Sequence, residues 1–529
     1  MSPDFPRLQF SKTAMSIFYI RASLALATFA FAFAPPPALA TNANAHANNQ
    51  SRTLAVSGNQ IVLADDPLVI VRLTGLNVPG CEWSANPVYG RVPRSIKEAM
   101  ENWHANVIRI PVSVTGWNGR LPDSAGPDGD GEKYKQWIDS FIQMVAEAGK
   151  YAVLDLHHYK QFDNPAYLDF WREAAVRYKN NPAVLFGILN EPHGTTWEIW
   201  RNGDGAGVTG HQQVVELIRD LGARNIIIAG GLDWAYDLTG IAGGFELIDQ
   251  GSGGDLSKRG NGIVYDTHIY PWKGGRENWD AKVAAVRRRH PIFVGENGFD
   301  PSDKTQQQFA PDARHETWAP ELFAWKNDGA AFGNLAHWAG WCFHNTATPV
   351  ILRGSAAEFH DDAHYDYPPT EFWGVYVKKE LETALGKNLL AGARVTCADA
   401  ASDFANATDG DIRSLWECAT AGPKMLTADL GKPRTFNRWI VRHYSSGEKL
   451  ISQDSTMSAG AGRNTADFKL QTSMDGKTWK DAGTITGNTA GVTDRFIRQQ
   501  TARHVRLIIT KASAVDDIAR IYEFSVYGN

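Results

Sequence analysis

Between Arg52 and Leu385, short unbroken apolar runs alternate with amphipathic stretches of helical period, and no other feature of this 529-residue chain constrains the fold as strongly. Runs such as Ala183–Asn190 and Ile292–Glu296 carry Val, Ile, Leu and Phe without alternation. Strands of that kind are covered on both faces, as in parallel sheets. The strand candidates are Val69–Val78, Ala105–Val112, Tyr151–His157, Ala183–Asn190, Asn225–Gly230, Gly262–Tyr270, Ile292–Glu296 and Asn334–Phe343. Helical patterns fall between them at Ser95–His104, Tyr134–Ala148, Pro165–Tyr178, Gln212–Leu221, Asn278–Arg289 and His315–Asn327, with a last one at Thr370–Leu385. Regular βα alternation repeated eight times predicts an α/β fold, a closed (β/α)8 TIM barrel. The alternative, an open doubly wound sheet, carries a glycine-rich phosphate turn after its first strand. Gly75-Leu76-Asn77-Val78-Pro79-Gly80 does not supply one.

Beyond Gly386 the helical period fades. Asn437–Tyr444, Asp467–Ser473, His504–Thr510 and Tyr522–Tyr527 alternate as half-buried strands do, and Met474-Asp475-Gly476-Lys477 marks a tight turn. Residues 386–529 therefore read as an all-β jelly-roll sandwich, and 52–385 as the barrel. The connection is short and has no Pro/Ser/Thr-rich tract, which predicts little freedom between the two.

The N-terminus reads as a processing signal. Arg7, Lys12 and Arg21 precede the apolar run Ala22–Ala34, and Ala38-Leu39-Ala40 fits a small-x-small cleavage site. The run is 13 residues, short of the roughly 20 that cross a bilayer. Cleavage near Ala40, export to the periplasm or medium and a polar segment over residues 41–51 are expected; Met15 is an alternative start. A net charge of −5 without an extended basic block excludes a nucleic-acid footprint. Cys81, Cys342, Cys397 and Cys418 lack metal-type spacing, and an even count in an exported chain predicts disulfides. Neighbouring strands of a closed barrel suggest Cys81–Cys342, and shared domain membership suggests Cys397–Cys418.

The chemistry concentrates at strand ends. Glu191 closes the fourth run and Glu296 the seventh, so a closed barrel brings both carboxylates to its C-terminal face. Such a pair can flank one glycosidic bond as acid/base and nucleophile. The other tips are Ile108-Arg109-Ile110-Pro111, Asp155-Leu156-His157, Asn190-Glu191-Pro192, His268-Ile269-Tyr270-Pro271 and Trp338-Ala339-Gly340-Trp341. His268 and Tyr270 share one strand face, because side chains alternate with a period of two.

In this order the motifs resemble glycoside hydrolase family 5, the cellulase-like retaining glycosidases, over about residues 52–385. The resemblance implies that Glu191 is the acid/base and Glu296 the nucleophile. It implies that Arg109 and Tyr270 hydrogen-bond the nucleophile and that Asn190 bonds the sugar 2-hydroxyl. His157 contacts sugar at the cleavage subsite, His268 lies near the acid/base, and Trp341, rather than Trp338, floors the subsite. The C-terminal domain resembles the discoidin, or factor 5/8 type C, fold that includes carbohydrate-binding module family 32. Ala407-Thr408-Asp409-Gly410-Asp411, Leu415-Trp416, Asp475-Gly476-Lys477-Thr478-Trp479 and Ile521-Tyr522-Glu523-Phe524 carry that likeness. It implies a structural calcium at Asp409, Asp411 and Glu523, with a solvated acidic turn as the alternative; Trp416 and Trp479 read as core.

The expectation is a secreted retaining hydrolase of β-linked polysaccharide or oligosaccharide, with β-1,4-glucan first and mannan or transglycosylation as alternatives. A catalytically weak glycan-binding protein is the reading from a different class. Catalysis needs no cofactor, and no protein partner, nucleic acid or membrane span is implied.

Overall fold

The computed structural model describes residues 51–80, 91–120, 131–355, 365–397, 404–411, 414–447 and 460–528, and these form one compact unit. Eight parallel strands close a barrel: β1 Thr74–Asn77, β2 Val107–Val112, β3 Tyr151–Leu156, β4 Val184–Gly187, β5 Ile227–Gly230, β6 Ile263–Ile269, β7 Ile292–Asn297 and β8 His337–Gly340. Pairing of β8 with β1 (Trp338 opposite Thr74) and of β4 with β5 (Phe186 opposite Ile227) completes the ring. The helices α1 Arg91–Glu101, α2 Gly131–Glu147, α3 Pro165–Tyr178, α4 His211–Asp220, α5 Arg276–Arg287, α6 His315–Lys326 and α7 Gly374–Leu385 surround it. Asn164 caps α3 by accepting from Ala166 N, and Pro165 occupies its first turn, where a missing N–H costs nothing. Among the described residues no helix is long and apolar enough to cross a membrane.

The expected first strand, Val69–Val78, is in fact two. Asp66–Ile70 belongs to a small antiparallel sheet with Leu54–Ser57 and Gln60–Leu63, and only Thr74–Asn77 enters the barrel. Leu54, Ile61, Leu63 and Val69 of this region pack against the inward-facing Val107, Val153, Leu185, Ile228, Val264 and Phe293. The small sheet thus plugs the N-terminal end of the barrel and leaves the C-terminal end for chemistry.

The C-terminal domain is antiparallel throughout. Its strands are β9 Arg394–Cys397, β10 Trp416–Cys418, β11 Lys424–His443, β12 Asp467–Ser473, β13 Lys480–Ile485, β14 Val492–Lys511 and β15 Ala519–Gly528. The two 20-residue strands β11 and β14 pair along most of their length, with register shifts near Asp429–Arg434 and Phe436–Arg438. Trp416, Trp439, Phe468, Leu507 and Phe524 fill its own core. The connector is itself structured: Lys387–Asn388 pairs with Tyr527–Gly528 immediately after α7.

The two domains are docked. Lys150, between α2 and β3, is 2% exposed and donates to Met100 O, Ala105 O and, at 3.2 Å, to Asp494 of β14. Asp494 also accepts two bonds from Arg438, at 2.8 and 2.6 Å. The Arg495 guanidinium lies against Gly149, whose φ of +69° favours glycine. Leu385, Ile440 and Val492 add an apolar contact across the junction. The contact at Gly149–Lys150 lies at the start of β3, away from the strand tips. Asp494→Ala would leave Lys150 and Arg438 buried beside each other without their shared counter-charge. It should cost about 3–5 kcal/mol, as breaking buried ion pairs does. Denaturant unfolding measures this, and a loss below about 1 kcal/mol, the range of an exposed pair, would refute it.

The expected Cys397–Cys418 disulfide is not formed among the described residues. Cys342 is a buried free thiol, its Sγ 3.6 Å from Asn77 O, and Cys81 lies outside the described residues. Cys418 is likewise a free thiol, 3.1 Å from Thr420 Oγ1. Cys397 sits on β9, which pairs with β11, whereas Cys418 sits on β10, which pairs with β15. Shared membership of one domain was a weaker constraint than strand adjacency.

Candidate active site

Arg109 is the hub of the strand tips. Its inward direction follows from period two on β2, where Val107 and Arg109 face the barrel interior while Ile108 and Ile110 join the helix-side core. The guanidinium donates to Glu296 Oε1 at 3.0 Å, Asn77 Oδ1 at 3.0 Å and Asn190 Oδ1 at 2.5 Å, and pairs with Asp155 at 3.0 Å. Burial alone would pull its pKa down, but Asp155 and Glu296 outweigh it and hold the guanidinium protonated.

Glu296 reaches the interior by an irregularity. Asp266 pairs with Phe293 and His268 with Glu296, so two steps on β6 match three on β7. Phe293 faces inward, and strict alternation would send residue 296 outward; the extra residue turns it back in. Gly295 occupies the bulge because a Cβ there would meet the Asp266 carboxylate at 2.4 Å. Asp266 accepts from Gly295 N at 2.7 Å, which fixes the peptide just before Glu296.

Tyr270 donates to Glu296 Oε2 at 2.7 Å. Burial would raise the Glu296 pKa, but His268, Arg109 and His157 outweigh it and the Tyr270 bond adds to them, holding it below the usual carboxylate value. The Tyr270 hydroxyl is driven well above its ordinary value, first by burial and then by Glu296 and Glu191, so it remains a donor.

Glu191 lies just beyond β4, in a two-residue strand, Glu191–Pro192, paired with Tyr159–Lys160. His268 Nδ1 lies 2.8 Å from Glu191 Oε1 and 3.6 Å from Glu296 Oε2, and Nε2 lies 3.4 Å from Asp266 Oδ2. Burial disfavours the imidazolium, but Glu296 and Asp266 overcome that and push the His268 pKa up to about 10. One oxygen of Glu191, one of Glu296 and a His268 nitrogen lie within 4.8 Å of one another.

All eight expected site residues therefore converge. His157 Nδ1 lies 2.8 Å from Asp155 Oδ2, and its ring stacks on Trp341 at 5.5 Å and 6°. Trp341 is half-buried at the mouth, whereas Trp338 is fully buried against Phe323 and Lys326. Sequence reasoning passed over Asn77, Asp266 and Trp234, the last of which borders a cavity with Glu191 and His268. Asp266 had a signal, since it shares a strand face with His268 at i+2; Asn77 and Trp234 had none.

The calcium residues are gathered only in part. Glu523 accepts from Gly410 N at 3.1 Å and Ser525 Oγ at 3.0 Å, while Asp409 accepts from Asp411 N at 2.8 Å. Burial chiefly, and Asp409 in addition, pushes the Glu523 carboxyl up to about 7. Asp409 and Glu523 thus suit a hard cation. Asp411 does not complete a set of three carboxylates within 4.8 Å of one another. Trp416 is core, while Trp479 is half-buried beneath the Arg506 guanidinium at 4.1 Å.

Two glutamates facing each other at the C-terminal mouth of a (β/α)8 barrel define a class of sites that cleave glycosidic bonds. The family model of cellulase, glycosyl hydrolase family 5, matches residues 65–346, and the chain belongs to that family. A second model, the NedA-like galactose-binding domain, matches residues 406–507. Endoglucanase A of Butyrivibrio fibrisolvens is 29% identical over 255 residues, covering 47% of this chain and 53% of that protein. The chain spans about half the length of the curated relatives it matches. Among solved structures, the β-glucanase SdGluc5_26A from Saccharophagus degradans is 21% identical, with TM-score 0.47 over 64% of this chain and 96% of that one. The family 32 carbohydrate-binding module of Streptococcus pneumoniae EndoD is 26% identical, with TM-score 0.24 over 27% of this chain and all of that one.

Proposed function

We propose that the protein is an exported, retaining endo-acting glycosidase of β-linked glucan, working through a covalent glycosyl-enzyme. The observation that carries this reading is the Glu191–Glu296 pair. Its oxygens approach within 4.8 Å, near the roughly 5–5.5 Å of retaining enzymes and short of the roughly 6.5–9.5 Å that leaves room for water in inverting ones.

In the first step Glu296 attacks the anomeric carbon as the glycosidic C–O bond breaks, and Glu191 gives its proton to the departing oxygen. In the second, Glu191 takes a proton from water, the water oxygen bonds the anomeric carbon, and Glu296 leaves as carboxylate. Arg109 and Tyr270 stabilise the negative charge that returns to Glu296. The Asn190 side-chain oxygen accepts from Arg109, which leaves its NH2 group to donate to a sugar 2-hydroxyl in this reading. A contact there strengthens as the oxocarbenium-like transition state develops. Glucan as substrate is supported by the names of the relatives, which are endoglucanases. The C-terminal domain is a glycan-binding module in this reading, with a structural cation beside Asp409 and Glu523. Export rests on the sequence signal ending near Ala40, which lies outside the described residues.

The test is a panel of β-1,4-glucan, mixed-linkage glucan, mannan and galactan with products sized by chromatography. Oligosaccharides released early from a β-glucan are expected. Activity confined to mannan or galactan, or release of monosaccharide alone, would overturn the substrate assignment.

A further inference from the structure

Strand β1 requires glycine at Gly75, because a Cβ there would run into the backbone oxygen of Val107 on β2. In this register Asn77, the last residue of β1, stands opposite Arg109. Side chains alternate, so Leu76 joins the helix-side core while Asn77 turns into the barrel, where it is fully buried.

The Asn77 carboxamide acts in two directions. Oδ1 accepts at 3.0 Å from Arg109 NH1, the same nitrogen that donates to Glu296 Oε1 at 3.0 Å. Nδ2 donates to Gly295 O at 2.8 Å and lies 3.2 Å from both Ala339 O and Gly340 O. The Gly295 carbonyl belongs to the peptide bond that leads into Glu296. Asp266 already holds Gly295 N, so the residue before the nucleophile is gripped at both of its backbone groups.

We propose that Asn77 is a positioning residue for the nucleophile, aiming Arg109 NH1 at the Glu296 carboxylate while fixing the backbone from which that carboxylate projects. The role rests on the glycosidase reading above.

Closing the barrel seam does not by itself account for this arrangement. Asn297 serves the same seam, with Nδ2 donating to Val294 O at 3.2 Å and Ala339 O at 2.9 Å, but its Oδ1 accepts from Lys326 on α6. The Asn297 carboxamide therefore bears on the helical shell, and that of Asn77 on the reacting groups. Each terminal nitrogen of a guanidinium carries two N–H donors in one plane. With Asn77 taking one from NH1, the other is directed at Glu296. NH2 is shared in the same way between Asn190 and Asp155. Without Asn77 the NH1 end can tilt, and Gly295 O loses its donor.

Glu296 is faced by Arg109 from β2, His157 and Tyr159 beyond β3, Glu191 beyond β4, His268 and Tyr270 around the end of β6, and Cys342 beyond β8. Asp155 and Asp266 lie behind Arg109 and His268. The carboxylate stays ionised because cations are held close to it, so a loosened Arg109 lets its pKa rise.

The test follows Glu296 directly, by NMR of protein labelled at the glutamate side-chain carboxyl carbon, with the signal assigned by its loss in Glu296→Gln. In Asn77→Ala the titration midpoint should move up by about one pH unit, the lower end of what a nearby opposite charge contributes. The acid limb of kcat/KM on an aryl β-cellobioside should move with it. At the optimum kcat/KM should fall about 10- to 100-fold, the scale of one hydrogen bond to a charged group, while the inhibition constant of cellobiose changes little. Asn106→Ala is the structural control, since Asn106 ties the opposite end of β1 by accepting from Thr74 N and donating to Arg72 O, both at 2.8 Å. It should lower the melting temperature without moving the Glu296 midpoint. If Asn77→Ala does not fold, Asn77→Ser, too short to reach both partners, is read in the same way. A midpoint unchanged or lowered in the Asn77 variant, or raised equally by Asn106→Ala, would overturn the role. No hydrolysis of the cellobioside by the wild-type protein would overturn the glycosidase reading, while the NMR midpoint still decides whether Asn77 sets Arg109 on Glu296.

Discussion

Glu296→Ala is expected to abolish turnover, and added azide to restore it. The carboxylate receives a bond from Arg109 at 3.0 Å and another from Tyr270 at 2.7 Å, and cationic neighbours keep it ionised inside the barrel. Removing it deletes the nucleophile and leaves a space on the face of the sugar that Glu296 would have attacked. A small anion fits that space beside the two cations, Arg109 and His268, that neutralised the lost charge. Glu191 still protonates the leaving oxygen, so azide can complete a single displacement. The rescued rate should rise with azide concentration and saturate. Turnover close to wild type without azide would remove Glu296 from the role.

Glu191→Ala should divide substrates by the basicity of their leaving groups. On unactivated oligosaccharides the departing oxygen needs a proton as the bond breaks, and general-acid catalysis supplies roughly 10²–10⁴ in rate. An aryl glycoside with an acidic phenol needs little help to depart, so its glycosylation step should fall far less. Hydrolysis of the glycosyl-enzyme then becomes rate-limiting, because water loses its base. A burst of phenol followed by a slow steady state is the expected trace. Equal losses across leaving groups, with no burst, would show that Glu191 is not the acid.

The barrel was legible because apolar runs recur at regular spacing between helical stretches, and several strand tips carry polar residues with no place in a core. Arg109, Asn190, Glu191, His268, Tyr270 and Glu296 all announce themselves in that way. Three features were hidden for physical reasons. In Val69–Val78 apolar residues continue on both sides of Arg72, so the pattern does not mark where the plugging sheet ends and β1 begins. The inward turn of Glu296 depends on a register shift between β6 and β7, which is a property of two strands together. Lys150 and Asp494 read as ordinary surface charges, since their burial exists only once these residues, 344 apart in sequence and in different domains, meet. The Cys397–Cys418 expectation rested on shared domain membership, which says nothing about which strands lie side by side.

Which glutamate attacks the sugar and which handles the proton is decided by the configuration of the azide products. With a β-glycoside, Glu296→Ala should give the α-glycosyl azide, since azide replaces the nucleophile in one inverting displacement. Glu191→Ala should give the β-glycosyl azide, since azide there intercepts a glycosyl-enzyme still formed on Glu296. Proton NMR of the anomeric signal distinguishes the two directly. A β-azide from Glu296→Ala, or an α-azide from Glu191→Ala, would contradict the assignment of both residues.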